Sequence, residues 1–320
     1  MSKMSTEPMR HALNGETMGT RWSALFHTTD AFDTKPVQEA LQEAVDEVDR
    51  QMSTWNPESD LMRVNATPTG KWITIPDRLA GVIRLGLETG IVSGGAFDIT
   101  MGDAVAAWGF GAGEADPAGI RSALEAKRAP AHEAIELDAK GGRIRKTRPV
   151  WIDLNGIAKG YGTDRLAETL AGFGIKDSLV GIDGEMRATG LRPDGEPWAI
   201  AVEAPEHGRR APHSVLALQD AAVATSGDYR HWVEIQGRNL SHTMDPRRGG
   251  PLLDSPASVS VVAQTCAEAD AWATALMVMG VEEGCRQAQR LGLDALFLIR
   301  DPIAGIIARG TGGLFAQQAA

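Results

Sequence analysis

Apolar residues recur at steps of three and four residues between positions 37 and 52, which is the spacing of one face of an α-helix. The residues of this stripe are Val37, Leu41, Val45, Val48 and Met52. The same spacing predicts a helix over residues 79–87 and others over residues 159–170, 268–279 and 281–291. Gly280 separates the last two, because glycine is a poor residue for a helix interior.

Short runs rich in β-branched and aromatic residues, bounded by turn residues, predict strands over most of the rest of the chain. These runs cover residues 20–26, 72–75, 150–154, 178–182, 198–203, 214–218, 232–235 and 257–263, and a closing hairpin of 295–299 with 303–308. Helices mixed with mostly antiparallel strands predict an α+β fold. We expect a polar tail over residues 1–16 and one domain over residues 17–320.

Composition and charge exclude several classes of protein. The 320 residues carry a formal net charge of −10 without a long basic run, which argues against nucleic-acid binding. The two cysteines exclude a disulfide scaffold and a four-cysteine zinc site. No run approaches the ~18 apolar residues of a membrane span, and the N-terminus has no apolar signal region. We therefore expect a cytoplasmic protein, or a periplasmic one if an export signal has been removed.

The segment 153–160, which reads DLNGIAKG, joins a predicted strand to a predicted helix. Main-chain N–H groups at a helix start attract phosphate, and Lys159 adds a positive charge there. The segment is not a Walker A loop, because GxxxxGK[ST] is absent. The pattern alone leaves two interpretations equally open, a phosphate site and an ordinary connection with a surface lysine.

Asp270 and Thr274 are four residues apart, so they share one face of the predicted helix. A carboxylate beside a hydroxyl suits a hard cation such as Mg²⁺. The pair alone is better explained by local bonding, in which Asp270 complements the helix dipole and Thr274 bonds a main-chain carbonyl.

His242 lies in a tight polar turn. Its position there leaves two roles open, a general base and an ordinary hydrogen-bonding residue.

Considered together and in order, these segments resemble the ApbE family of FAD:protein FMN transferases. The motifs that carry the resemblance are residues 18–20 (MGT), 52–55 (MSTW), 95–98 (GAFD), 153–160 (DLNGIAKG), 225–229 (TSGDY), 241–246 (SHTMDP) and 268–276 (EADAWATAL). Each motif is weak alone, but they occur in the family's order over nearly the whole chain. Where family members usually have two glycines, this chain has Asp183 and Gly184 before Glu185.

The resemblance implies an ApbE-like, T-fold-related domain with two lobes and a ligand site between them. It implies an enzyme that uses Mg²⁺ and FAD, attaches FMN to a Thr of an acceptor protein and releases AMP. By analogy, the Mg²⁺ ligands are Asp270, Thr274 and the main-chain carbonyl of Gly156, and His242 assists the acceptor hydroxyl. The residues at the family's FAD-contact positions are Met18, Trp55, Ala96, Phe97, Asp98, Asp153, Lys159 and Met244.

Two other functions use the same site. A FAD pyrophosphatase would release FMN and AMP with water as the nucleophile. A non-catalytic flavin-binding protein would hold FAD during the assembly of a redox complex. Family acceptors carry a short motif of the type Asp-x-x-Ser/Thr-Gly/Ala-x-Thr on a respiratory or reductase subunit, and this chain has no such segment. We therefore expect the acceptor to be a different protein.

Overall fold

The computed structural model describes residues 9–29, 31–206, 211–228, 232–235 and 238–315. Its helices are α1 (Lys35–Met52), α2 (Asp60–Ala66), α3 (Asp77–Val92), α4 (Gly102–Ala107), α5 (Pro117–Glu125), α6 (Ala131–Ala134), α7 (Ala158–Gly172), α8 (Cys266–Leu291) and α9 (Gly312–Phe315). None of the helices in the described part of the chain is both long enough and apolar enough to cross a bilayer.

The strands of the first half and the middle are β1 (Met9–Thr17), β2 (Thr20–Thr28), β3 (Ile73–Thr74), β4 (Ile135–Asp138), β5 (Arg143–Lys146), β6 (Ser178–Ile182), β7 (Glu185–Thr189), β8 (Trp198–Glu203) and β9 (Pro212–Leu218). Those that follow are β10 (Ala221–Gly227), β11 (Trp232–Ile235), β12 (Arg238–Ser241), β13 (Met244–Asp245), β14 (Gly250–Pro251), β15 (Ser258–Ala263), β16 (Asp294–Asp301) and β17 (Gly305–Thr311).

An eight-stranded sheet organises the fold in the order β1-β2-β6-β7-β10-β15-β16-β17. Every neighbouring pair in it is antiparallel. Smaller antiparallel sheets are built from β3-β5-β4 and from the pairs β8-β9, β11-β12 and β13-β14. The α+β class predicted from the sequence, with mostly antiparallel sheets and packed helices, is confirmed.

The two faces of the central sheet bury different layers, because successive side chains of a strand point to opposite sides. In β16, Phe297 joins the core cluster that contains α8, whereas Leu296 and Leu298 join the cluster that contains β8 and β9. A third cluster packs the first part of the predicted stripe of α1, Val37, Leu41 and Val45, against Trp22, Phe26 and Leu166. The last two residues of the stripe, Val48 and Met52, join the cluster that contains α8. Helices therefore cover one face of the sheet, and a small sheet covers part of the other.

Helix α8 changes direction at Gly280, whose φ of 75° and ψ of −177° are not helical. Its N-terminal half is almost entirely buried and carries Asp270 and Thr274. The prediction that two helices meet at Gly280 is therefore confirmed. The break lets the first half follow the sheet while the second half takes another direction.

Two predicted segments are wrong in the structure. Residues 9–16 are not a tail, because β1 pairs with β2 along its whole length; an edge strand with an accessible face tolerates this polar composition. Residues 1–8 lie outside the described residues. Residues 150–154 form no strand beyond a single bridge at Trp151, because the side chain of Asn65 bonds both the N–H and the C=O of Ile152.

Candidate active site

A cavity of about 1120 Å³ lies among the N-terminal turns of α7 and α8, the strands β7, β8 and β10, and the hairpin β13-β14. Every residue that the sequence predicted as a site residue lines it. These residues are Met18, Trp55, Ala96, Phe97, Asp98, Asp153, Gly156, Lys159, His242, Met244, Asp270 and Thr274. The volume exceeds the range of about 300–1,000 Å³ that is usual for ligand pockets, and so suits a ligand as large as a dinucleotide.

One side of the cavity, formed by Gly156, Lys159, Asp270 and Thr274, is called the helix wall here. Its two helices touch at Gly160, where a Cβ would lie 2.3 Å from the carbonyl oxygen of Cys266. The main-chain N–H of Gly160 donates to Oδ2 of Asp270 at 3.0 Å. The first turn of α7 is thus bonded directly to the acidic residue of α8.

Asp270 is a buried carboxylate with only 5% of its surface exposed. Burial raises its pKa to about 7, and the negative charge of Glu185 acts in the same direction, while Lys159 opposes both. Oδ1 of Asp270 accepts no hydrogen bond from the described residues. This oxygen belongs to a side chain on the cavity surface, where a bound cation would stabilise the charged form.

Thr274 lies one turn further along α8, as the spacing predicts. Its hydroxyl is 3.1 Å from the hydroxyl of Ser226 on β10. A side chain at Gly156 would come within 3.2 Å of Thr274 Oγ1 and 3.1 Å of the Phe97 ring. The main chain at Gly156 therefore passes close to Thr274, and only glycine fits this approach without displacing its neighbours.

Lys159 is held by two acidic residues of the β6-β7 turn. Its Nζ lies 2.9 Å from Oε1 of Glu185 and 3.6 Å from Oδ2 of Asp183. Burial alone would lower the pKa of Lys159, but the charges of Glu185, Asp270 and Asp183 together raise it. The lysine is therefore cationic at neutral pH and faces the cavity with its charge partly balanced.

Two further carboxylates of the cavity have raised pKa values. Burial raises the pKa of Asp153 to about 6, against the hydrogen bond that it accepts from the N–H of Asn155. Burial also raises the pKa of Asp98, whose Oδ1 accepts from the N–H and hydroxyl of Thr100 at 2.7 and 2.6 Å. The cavity thus contains several acidic groups whose charges burial disfavours.

Met18 occupies an unusual main-chain conformation in the turn between β1 and β2. Its φ is +45°, and that of Gly19 is +69°. Two consecutive residues with positive φ form the tight turn of a two-residue hairpin, in which asparagine rather than methionine is the common first residue. The strain places an apolar, polarisable side chain on the cavity surface, where it suits contact with a planar ligand.

Another part of the cavity lining, formed by Phe110, His242, Met244 and Pro246, is called the hairpin wall here. It rests on β13 and β14, which are only two residues long each. The rings of His242 and Phe110 lie edge to face with their centroids 6.4 Å apart. This contact orients the imidazole at the cavity, where proton transfer to or from a ligand is chemically reasonable.

The donor set of the helix wall fits a hard divalent cation. The described residues contain no group of three His, Cys, Asp or Glu side chains arranged for a metal. The predicted set is of another kind, with one carboxylate, one hydroxyl and one main-chain carbonyl. Mg²⁺ characteristically uses one or two carboxylates and completes its shell with water and substrate phosphates. The unbonded Oδ1 of buried Asp270 meets that requirement.

Comparison with known proteins places the chain in a family. The model of the ApbE family matches residues 18–297. The chain belongs to the ApbE family. A curated protein of Escherichia coli K12 named FAD:protein FMN transferase is 34% identical over 295 residues, covering 90% of this chain and 84% of that protein. One of Vibrio cholerae with the same name is 35% identical over 291 residues, covering 90% and 87%.

The fold agrees with this membership. The crystal structure of the Pseudomonas stutzeri flavinyl transferase ApbE in its apo form superposes with a TM-score of 0.85. That protein is 34% identical, and the match covers 98% of each chain. The family resemblance read from the sequence motifs is therefore confirmed, whereas the roles assigned to individual site residues stay predictions.

Sequence reasoning missed several polar residues of this ApbE-family cavity, and two of them contact or lie next to predicted site residues. Glu185 is 4% exposed, and its buried Oε2 has no hydrogen-bond partner among the described residues. Ser226 lies in the 225–229 motif, but the sequence did not show that it bonds Thr274 across elements. The position of Glu185 after a predicted strand and a Gly-containing turn was the one available signal. Tyr229, in the same motif as Ser226, lies outside the described residues.

Proposed function

We propose that this ApbE-family chain is a Mg²⁺-dependent FAD:protein FMN transferase. The observation that carries the proposal is that Asp270, Thr274 and the Gly156–Lys159 turn meet on one wall of a dinucleotide-sized cavity. A carboxylate, a hydroxyl and a lysine there suit the diphosphate of FAD. The names of the curated relatives agree with this chemistry.

The binding of FAD needs local positive charge, because the chain as a whole is acidic. Lys159 supplies a positioned cation, and Asp270, Thr274 and the Gly156 carbonyl would hold Mg²⁺. When bound there, Mg²⁺ neutralises the diphosphate and polarises its phosphoryl oxygens. Met18, Phe97 and Trp55 provide the apolar surface that a flavin or adenine ring requires.

The proposed reaction is a phosphoryl transfer. The hydroxyl oxygen of an acceptor Thr forms a bond to the phosphorus of the FMN moiety, and the phosphoanhydride bond breaks. The bonding electron pair leaves with AMP, and the hydroxyl proton passes to His242 and then to solvent. The positions of these groups, rather than covalent catalysis, determine the rate of such transfers.

The acceptor is a separate protein that presents a Thr to the cavity, and we propose that it is a respiratory or reductase subunit. His242 lies on the hairpin wall, and the predicted cation ligands lie on the helix wall of the same cavity. This arrangement gives the diphosphate and the acceptor hydroxyl different walls of one cavity.

The test is incubation of the protein with FAD, Mg²⁺ and a candidate acceptor. Flavin fluorescence that stays on the denatured acceptor, with an equal amount of AMP, is the expected result. An acceptor whose target Thr is replaced by Ala is the control. Release of AMP and free FMN without labelling would instead identify a pyrophosphatase. Tight FAD binding without turnover of any acceptor would identify an accessory protein.

A further inference from the structure

Asp164 connects two helices that both contribute to the helix wall. It lies on α7 and is 4% exposed. Its Oδ1 accepts from the N–H of Cys266 at 2.8 Å, and its Oδ2 accepts from the N–H of Ala267 at 2.9 Å. These donors belong to the first turn of α8, which has no intrahelical acceptors for them. The carboxylate of one helix therefore caps the other.

The connection is reciprocal. Asp270 of α8 accepts from the N–H of Gly160 in the first turn of α7. Gly160 and Asp164 are four residues apart on α7, and Cys266 and Asp270 are four residues apart on α8. Residues at this spacing lie on one face of a helix. Each helix thus provides a carboxylate that accepts hydrogen bonds from the first turn of its neighbour.

Close packing leaves this arrangement little freedom. A Cβ at Gly160 would lie 2.3 Å from the Cys266 carbonyl oxygen and 2.8 Å from the Asp270 Cβ. Arg187 of β7 adds a third partner, because its guanidinium donates to Oδ1 of Asp164 at 2.5 Å. The carboxylate of Asp164 is therefore fixed from the sheet as well as from α8.

We propose that Asp164 is a positioning residue for the cation site. By accepting the first two N–H groups of α8, it sets the position of α8 along α7 and so holds Asp270 and Thr274 against Gly156. Asp164 itself does not line the cavity. This proposal rests on the proposed function of Asp270 and Thr274 as Mg²⁺ ligands.

The experiment measures the Mg²⁺ concentration that gives half-maximal quenching of FAD fluorescence, without acceptor and well below the unfolding temperature. In Asp164→Asn, one acceptor oxygen and the charge are lost, but the side chain keeps its size. We expect the midpoint concentration to rise at least about tenfold, as is usual when a residue that orients metal ligands is changed. Asp164→Ala, if it folds, gives the larger rise.

Thr265→Ala is the matched control. Thr265 is the N-cap of the same helix, and its side chain accepts from the N–H of Glu268 within α8. Its loss removes one cap bond within α8 but none of the hydrogen bonds that the structure shows between α8 and α7. The midpoint in Thr265→Ala should stay within twofold of wild type. If Asp164→Asn and Thr265→Ala had the same Mg²⁺ midpoint, Asp164 would have no effect beyond that of an ordinary helix cap, and the proposal would be overturned.

Failure of the proposal is distinguishable from failure of the proposed function. If wild-type FAD binding does not respond to Mg²⁺, the cation site itself is wrong and the positioning role falls with it. If wild type responds and Asp164→Asn responds at the same concentration, only the positioning role is overturned. If Asp164→Asn does not fold, Arg187→Gln is the second variant, because it keeps the Asp164 carboxylate but removes the guanidinium that fixes this carboxylate from the sheet. A carboxylate held less firmly positions α8 less well. Arg187→Gln should then raise the midpoint by two- to fivefold, and an unchanged midpoint would contradict the proposal.

Discussion

The helix wall and the hairpin wall face the same cavity, but they are built in different ways. The helix wall is bonded across two long helices, which pack so closely that Gly160 has no room for a methyl group. The hairpin wall rests on two strands of two residues each, and the adjacent Arg247 side chain is 66% exposed. The predicted cation ligands are thus fixed by contacts between long elements, whereas His242 is carried by a segment next to a short hairpin.

The largest effect is expected for Asp270→Asn on the helix wall. The amide keeps an acceptor for the Gly160 N–H but removes the only carboxylate in the predicted ligand set. We expect the rate of AMP formation to fall by at least about 10³-fold, equivalent to about 4 kcal/mol of transition-state stabilisation. Circular dichroism should show an intact fold, because a buried charge with a raised pKa is removed. Full activity in this variant would exclude the assigned cation site.

A methyl group between the two helices should disrupt the same wall sterically. Gly160→Ala places its Cβ against the main chain of Cys266, so we expect the free energy of unfolding to fall by about 2–4 kcal/mol. Gly172→Ala in the same helix is the control, since nothing lies within 4 Å of the position that its methyl group would take. The control should be neutral or up to about 1 kcal/mol more stable. Urea unfolding of both variants measures the contrast, and equal stabilities would show that the helices are not tightly apposed.

Thr274→Val is a milder change on the helix wall. It keeps the shape of the side chain but removes the oxygen that lies 3.1 Å from Ser226. We expect about a tenfold rise in the Mg²⁺ concentration that supports half-maximal AMP formation. Ser226→Ala is the control, because it removes the partner of Thr274 but no predicted ligand, and it should change this concentration less. If Ser226→Ala raised this Mg²⁺ concentration more than Thr274→Val does, Ser226 rather than Thr274 would be the ligand.

A change at Trp55, an exposed residue of the cavity lining, should affect FAD binding alone. Trp55 is 59% exposed although it lines the cavity. In Trp55→Ala we expect the KM for FAD to rise three- to tenfold, as the loss of one stacking contact of about 1 kcal/mol predicts, with kcat and Tm unchanged. Trp151 is also exposed but does not line the cavity, and so provides the control. A fall in kcat without a change in KM would place Trp55 in the chemical step.

The pH dependence of stability offers a test that needs no ligand. The pKa of Asp153 is about 6 in the folded protein, above its ordinary value of 3.8. Between these values the folded protein binds more protons than the unfolded chain, so this group makes the ligand-free protein less stable as pH rises from 4 to 6. Asp153→Asn should remove that contribution. The Tm of the variant relative to wild type should therefore be higher at pH 7 than at pH 4, and a constant difference would contradict the raised pKa.

The sequence predicts features that depend on local periodicity and on contiguous motifs. The stripe of α1, the break at Gly280 and the shared face of Asp270 and Thr274 are all confirmed in the structure. Each of them follows from spacing along one segment, which fixes geometry without knowledge of the rest of the chain. Every motif also contributes at least one residue to the cavity lining, although the motifs lie variously in turns, at the ends of elements and within α8.

Features that depend on contacts between distant segments were not predictable. The bonds from Asn65 to Ile152 join residues 87 positions apart and replace a predicted strand. Glu185 and Ser226 become site residues only because β7 and β10 are neighbours in the central sheet. No periodicity or local motif indicates such pairings, because they are set by how the sheet is assembled.

The break at Gly280 divides α8 into two helical segments. The second segment, residues 281–291, still packs on the core through two small residues: Ala288 is fully buried, and a Cβ at Gly284 would lie 2.9 Å from the Phe297 ring. Its other positions are mostly exposed, as at Glu282, Glu283 and Arg286. Surface redesign of this helix therefore belongs at those exposed positions, which lie beyond the break and away from Asp270 along the chain.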